Sequence, residues 1–186
     1  MPGPFVCLHN ACKGCRLPLP IDSPKAVVRL AGAADIPEIV RITNLAYRVE
    51  AFCLAGDRTD PKDVGELMAA GEFWVLDGAP GRLRGSVYLK PAGDRGYLGL
   101  LAVDPEAQGQ GWSRLLVAAG EQRCQAAGCR FLDLTVVNLR EELFGFYQKL
   151  GFVAGDTLPF PRPAKMILDC RLIRFTKPLR PLPAST

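Results

Sequence analysis

Histidine is almost missing from this sequence: among 186 residues the single one is His9, near the N-terminus. Chemistry that rests on an imidazole base or ligand therefore has almost nothing to work with. No apolar run is long enough to span a bilayer. The start also lacks a charged region followed by an apolar stretch, so no secretory signal is read. The expectation is a cytoplasmic, reducing location with no membrane partner, where the seven cysteines are mostly free thiols. Two phosphate-binding signatures are missing as well. Gly-x-Gly-x-x-Gly fails because Arg114 follows Gly109 and Gly111 where the third glycine belongs, and no Gly-Lys-Ser/Thr triplet occurs. Dinucleotide and P-loop nucleotide sites are thereby set aside.

A basic face is also lacking. The net charge is +4, but residues 1–25 carry three basic residues and one acid, and residues 171–186 carry four basic residues and no acid. The ends thus hold +6 and the body about −2, which argues against a nucleic-acid surface. What is present is a composition with a core: 48% apolar and 23% charged residues, enough for one domain.

Residues 1–24 are proline-rich and without periodicity, and read as an N-terminal tail. They hold Cys7, His9, Cys12 and Cys15, the last two as a CxxC. That spacing serves zinc and redox sites, but a second ligand pair or a strand-to-helix context is needed, and neither is there. No metal site is expected. A domain is expected over residues 25–177, then a short tail over 178–186. Strands are predicted over 26–30, 73–76, 83–89, 98–103, 131–137, from 152, and over 171–176. Helices are predicted from Ile36, with Asp35 as cap, from Pro61, from Trp112 to about Ala127, and over about 140–150. The order β, α, α, β, β, β, α, β, α, β, β is that of an α/β fold with a mixed sheet.

The most informative stretch runs from Leu101 through Ala102, Val103, Asp104 and Pro105 to Gln108-Gly109-Gln110-Gly111-Trp112-Ser113. A strand ends, a glycine loop turns and a long helix begins. The first amides of a helix lack internal partners and carry the positive end of its dipole, which suits a phosphate or pyrophosphate. Gly109 and Gly111 let the backbone come close.

Gln108-x-x-Gly111-x-Ser113 resembles the acyl-CoA motif of the GNAT family of N-acyltransferases, Gln/Arg-x-x-Gly-x-Gly/Ala, with Ser113 as the departure. The strand ending in Asn138 and the segment Phe146-Tyr-Gln-Lys-Leu-Gly-Phe152 resemble the second half of the same family. The stretches ending in Glu50 (Ala-Tyr-Arg-Val-Glu) and Thr59 (Gly-Asp-Arg-Thr) are similar to a bacterial subgroup. The likeness implies a GNAT fold, a mixed central sheet with splayed central strands flanked by helices. It implies acetyl-CoA as acyl donor and transfer to the primary amine of an acceptor by direct attack. Leu101 and Val103 would hold the pantetheine through their backbone, and residues 108–113 the pyrophosphate. Asn138 would bond near the acyl end, and Tyr147 would be the general acid.

A phenol is protonated at neutral pH and can donate to the departing thiol. The base is less clear. Many relatives carry a Glu near the start of the strand leading into the loop, whereas Gly96-Tyr-Leu-Gly99 here holds no carboxylate. Glu50 and Asp57 are the candidates, with water as a relay, and Arg48 and Arg58 are suited to an acidic acceptor. All four also fit plain surface charges. Two other readings stand beside the enzyme: an acyl-CoA-binding module without turnover, and a metal or redox protein centred on the cysteines. Exposed strand edges are compatible with a homodimer.

Overall fold

The computed structural model of the protein describes residues 27–179. Cys7, His9, Cys12 and Cys15 lie outside them. The described chain forms strands β1 (Val28–Leu30), β2 (Glu72–Asp77), β3 (Leu83–Ala92), β4 (Arg95–Val103), β5 (Phe131–Val137), β6 (Val153–Pro159) and β7 (Arg171–Pro178). The helices are α1 (Ile36–Tyr47), α2 (Pro61–Ala70), α3 (Trp112–Ala126) and α4 (Glu142–Lys149). The element order is the one expected from the sequence. The strands make one seven-stranded sheet in the order β1-β2-β3-β4-β5-β7-β6. Every neighbouring pair is antiparallel except β4 and β5, which are parallel.

Two apolar layers hold the sheet. On one face Ile39, Ile42 and Val64 from α1 and α2 pack on Phe73, Val75 and Tyr88. On the other, Leu116, Val117 and Cys124 of α3 pack on Val87, Leu89, Leu98 and Leu132, and the same core continues through Phe152 and Phe175. The strand alternation sorts these residues: Phe73 and Val75 face α1, while Leu76 faces α3. Helix α3 comes close to the sheet because Gly96 sits beneath it; a Cβ there would stand 2.4 Å from Cys124 Sγ. Strand β7 runs through Pro178, and Leu179 is buried against the core, so the folded body passes residue 177.

Asp35 does stand at the N-terminus of α1, but its side chain does not cap it. The carboxylate instead accepts from the Gly32 amide and from Arg29, which also grips Asp77 on β2. A guanidinium with two carboxylates in reach outcompetes a neutral helix amide for that oxygen. Asp60 does cap α2, accepting from the Asp63 amide at 2.8 Å.

Leu116 is fully buried between α3 and the sheet. Leu116→Ala is expected to lower unfolding free energy by about 2–5 kcal/mol, read from urea denaturation. A loss under about 1 kcal/mol, the scale of an average single substitution, would mean that α3 does not pack as described.

Candidate active site

The site begins where the parallel pair of the sheet, β4 and β5, comes apart. β4 and β5 are in register at Arg95–Phe131, Gly96–Leu132 and Tyr97–Asp133, and no further. Beyond that fork, residues 98–103 keep their partner β3 on one side, and residues 134–137 keep β7 on the other. The facing edges are left open toward each other.

A β-bulge deepens the fork. Ser86 opposes Ala102 and Tyr88 opposes Gly99, so Leu100 and Leu101 together face Val87. Leu100 has φ of 45°, a left-handed conformation that costs a non-glycine residue ~1–2 kcal/mol. The bulge re-phases the strand. Leu98 packs with the α3 layer, whereas Leu100, two residues on, packs with the α1 layer. Leu101 and Val103 are thereby aimed at the opening.

Between the parted strands lies a cavity of about 350 Å³, within the usual range for a small-molecule site. Leu101, Val103, Gln108 and Gly109 line it, with Gly111, Trp112 and Ser113. Gly109 (φ 78°) and Gly111 (φ 86°) are both left-handed, and the space where a Cβ would stand is open at each. Gly111 is the N-cap of α3, and its carbonyl takes the first helical bonds, from Arg114 and Leu115. The amides at the start of the helix precede that ladder and face the loop. The loop itself is braced. Arg41 of α1 bonds Asp104 at 3.0 Å, and Gln108 donates through Nε2 to the Val103 carbonyl at 3.3 Å.

Tyr147 and Glu50 line the same cavity. Tyr147 is 8% exposed and sits on α4 among Phe146, Phe152 and Phe175, with ring centroids 5.0, 5.8 and 6.0 Å away. Burial pushes its phenol well above the usual value, with Arg140 opposing the rise. The phenol is thus protonated throughout the physiological range. Glu50 is 6% exposed and follows α1 in a 3₁₀ turn. Its Oε1 accepts from Arg140 Nη1 at 3.3 Å, and its Oε2 is buried without a hydrogen-bond partner. Burial raises the Glu50 carboxyl above its ordinary value, against the pull of Arg58 and Arg140. Burial also pushes the nearby Tyr47 phenol up to about 12.

Three residues expected at the cofactor lie off the cavity wall. Ala102 is turned into the α1 core by the bulge. Gln110 is exposed at the tip of the loop. Asn138 spends its side-chain oxygen on the Arg171 amide at 2.7 Å, tying the end of β5 to β7. Of the acceptor-side candidates, Arg58 lines the cavity, whereas Arg48 and Asp57 line a smaller neighbouring one. Sequence reasoning missed Arg140 and Tyr47 as wall residues. Tyr47 stands in the stretch that carried the resemblance, but nothing around Arg140 marked it.

This fold is shared by solved N-acetyltransferases. The ribosomal-protein-S18-alanine N-acetyltransferase of Escherichia coli superposes with a TM-score of 0.66 at 18% identity, covering 86% of this chain and 97% of that one. The structure of yncA from Salmonella typhimurium with its cofactor acetyl-CoA gives 0.64 at 16% identity, covering 88% and 99%. In sequence, an acetyltransferase of Yersinia enterocolitica is 30% identical over 98 residues, 53% of this chain and 68% of its own. Residues 37–152 match the family model described as the acetyltransferase (GNAT) family. The chain belongs to that family, a family of N-acetyltransferases.

The Glu50 carboxyl supplies a stability test. Its folded pKa is raised, so the protonated form is the one folding favours. That contribution is complete below the ordinary Glu pKa and is lost as pH rises through the folded value. Glu50→Gln keeps the shape and removes the charge. The variant is expected to gain stability relative to the parent as pH rises from 4 to 8, in urea titrations at fixed ionic strength. A difference that is flat with pH, or of opposite slope, would mean that Arg140 and Arg58 outweigh burial.

Proposed function

We propose that the protein transfers an acetyl group from acetyl-CoA to a primary amine by direct attack within this cavity. The observation that carries the reading is the fork. The open part of β4, the glycine loop at the α3 N-terminus, a buried phenol and a buried carboxylate all line one cavity. The pantetheine amides would pair with the backbone of Leu101 and Val103. The pyrophosphate would lie against Gly109, Gly111, Trp112 and Ser113, where the amides and the helix dipole favour it and no Cβ intrudes. That yncA of Salmonella typhimurium was solved with acetyl-CoA on this fold supports the choice of donor.

Two proton movements are needed. An alkyl ammonium has a pKa of about 10.4 and must lose a proton before its nitrogen can attack. Glu50 Oε2, buried and without a hydrogen-bond partner, would take it, directly or through water. The nitrogen then bonds the thioester carbonyl carbon, and the C–S bond breaks. Tyr147 donates its proton to the departing sulfur, and the second proton of the attacking nitrogen restores the phenol. One proton is released overall. A backbone amide of the open edge can stabilise the charge that gathers on the carbonyl oxygen.

Acetyl-CoA at about a hundred times its dissociation constant is expected to add roughly 2.7 kcal/mol, raising the thermal midpoint by about 5–10 °C, with NAD and ATP giving no rise. Gly111→Val, which cannot keep the left-handed turn without strain, is expected to abolish the rise. Tyr147→Phe is expected to keep the rise while thiol release falls about 100-fold or more. Full turnover in Tyr147→Phe would remove the phenol from the mechanism. In the parent enzyme kcat/KM should climb with pH along a limb set by Glu50, and Glu50→Gln should lack that limb.

A further inference from the structure

The acceptor side of the cavity holds two charged groups with unused bonding capacity. One is the buried Glu50 Oε2; the other is Arg58, whose Nε is buried without a hydrogen-bond partner. Among the described residues no carboxylate lies within ion-pair distance of Arg58. Its guanidinium lies instead over the Tyr47 ring, 4.9 Å from the centroid. Cation–π attraction to the ring holds the guanidinium there without using its N–H donors, which suit a planar oxyanion.

The loop that carries Arg58 is held in place. Asn44 of α1 bonds Thr59 twice, receiving its amide and donating to its carbonyl, both at 3.0 Å. Lys165 donates to the Asp57 carbonyl at 2.6 Å, and the Ala55 amide reaches the Lys165 carbonyl at 2.7 Å. Tyr47, Glu50 and Arg58 form the wall shared by the main cavity and a smaller one of about 80 Å³. That smaller cavity carries Arg48, Arg58, Arg162 and Lys165 against Glu50 and Asp57. Its surplus is positive, which repels a polycation such as a polyamine and attracts an anion.

A cation with an unbonded donor and a carboxylate with one unbonded oxygen on the same wall complement a ligand with the opposite pair. We propose that the acceptor is a small amino acid, an amine with a carboxylate a few bonds away, its carboxylate on Arg58 and its amine directed to Glu50. This rests on the acyl-transfer reading above. It narrows the acceptor from amines in general to zwitterions, and it makes Arg58 a specificity-determining residue. The reaction is the one already balanced: the amine nitrogen gains the acetyl group, and the carboxylate is unchanged.

The test uses the full chain with saturating acetyl-CoA, reading thiol release. The panel holds free α-amino acids, the matching amino acid amides, spermidine and a short peptide with a free N-terminus. At least one free acid is expected to be turned over with kcat/KM about 10- to 100-fold above its own amide, the scale of a charge-assisted hydrogen bond. Arg58→Gln is expected to lower kcat/KM for that acid by the same factor more than for its amide, so that the preference for acid over amide is lost, with the acetyl-CoA midpoint shift retained. Spermidine, the peptide or the amides outperforming every free acid would overturn the proposal. So would an equal loss on acid and amide in Arg58→Gln, or acetyl-CoA binding with no acid turned over. Absence of an acetyl-CoA midpoint shift is a different failure, that of the acyl-transfer reading itself.

Discussion

The structure depends on one broken pairing. Parallel strands in a sheet ordinarily exchange evenly spaced hydrogen bonds along their full length. Here β4 and β5 do so for three register positions and then part. A backbone edge left open in a protein interior carries unpaired amides and carbonyls, each an unfavourable burial unless something bonds it. The fold tolerates the gap because each strand is secured on its outer side, β4 by β3 and β5 by β7. The open edges are thus a rigid feature that a peptide-like ligand can complete.

The bulge at Leu100 and Leu101 shows how local strain supports that arrangement. A straight β4 would put Leu98, Leu100 and Ala102 on one face and leave its phase at the cleft wrong. With the bulge, Leu98 stays with α3 while Leu100 and Ala102 pass to α1, and Leu101 and Val103 face the opening. The strain at Leu100 is small beside the burial it permits. Each large apolar side chain withdrawn from water contributes about 1.5–3 kcal/mol, and Leu98 and Ala102 are almost fully buried.

Much of this was legible in the sequence, for identifiable reasons. The element order followed from apolar periodicity and from prolines and glycines at boundaries such as Pro61 and Gly111. The loop was legible because a left-handed N-cap needs glycine, and Gly111 is one. Tyr147 could be singled out by its place in a motif, and the structure sets it on the cavity wall. Asn138 shows the limit of that approach. A polar side chain at a strand end bonds whichever backbone is nearest, and here that is Arg171. Arg140 shows the opposite limit. A basic residue just past a strand looks like a surface charge until the fold brings Glu50, ninety positions earlier in the chain, within hydrogen-bonding reach. The bulge was invisible for a similar reason, because neither Leu100 nor Leu101 is a residue type that marks one.

The charges at the acceptor end follow a logic different from those elsewhere on the sheet. Arg29, Arg41, Arg95 and Arg123 each face carboxylates in close pairs that fasten one element to another. Arg58 has no such partner, and Glu50 shares only one of its two oxygens. Burying a charge without full compensation is unfavourable. These two groups are left incompletely paired at the cavity that leads to the fork. Incomplete pairing is what a ligand site needs. A self-neutralised Arg58–Glu50 pair would be more stable alone, but a zwitterionic ligand would have to break it before binding. With Arg58 stacked on Tyr47 and Glu50 held through Arg140, each group is fixed without being used up, so the binding energy is not spent on rearrangement.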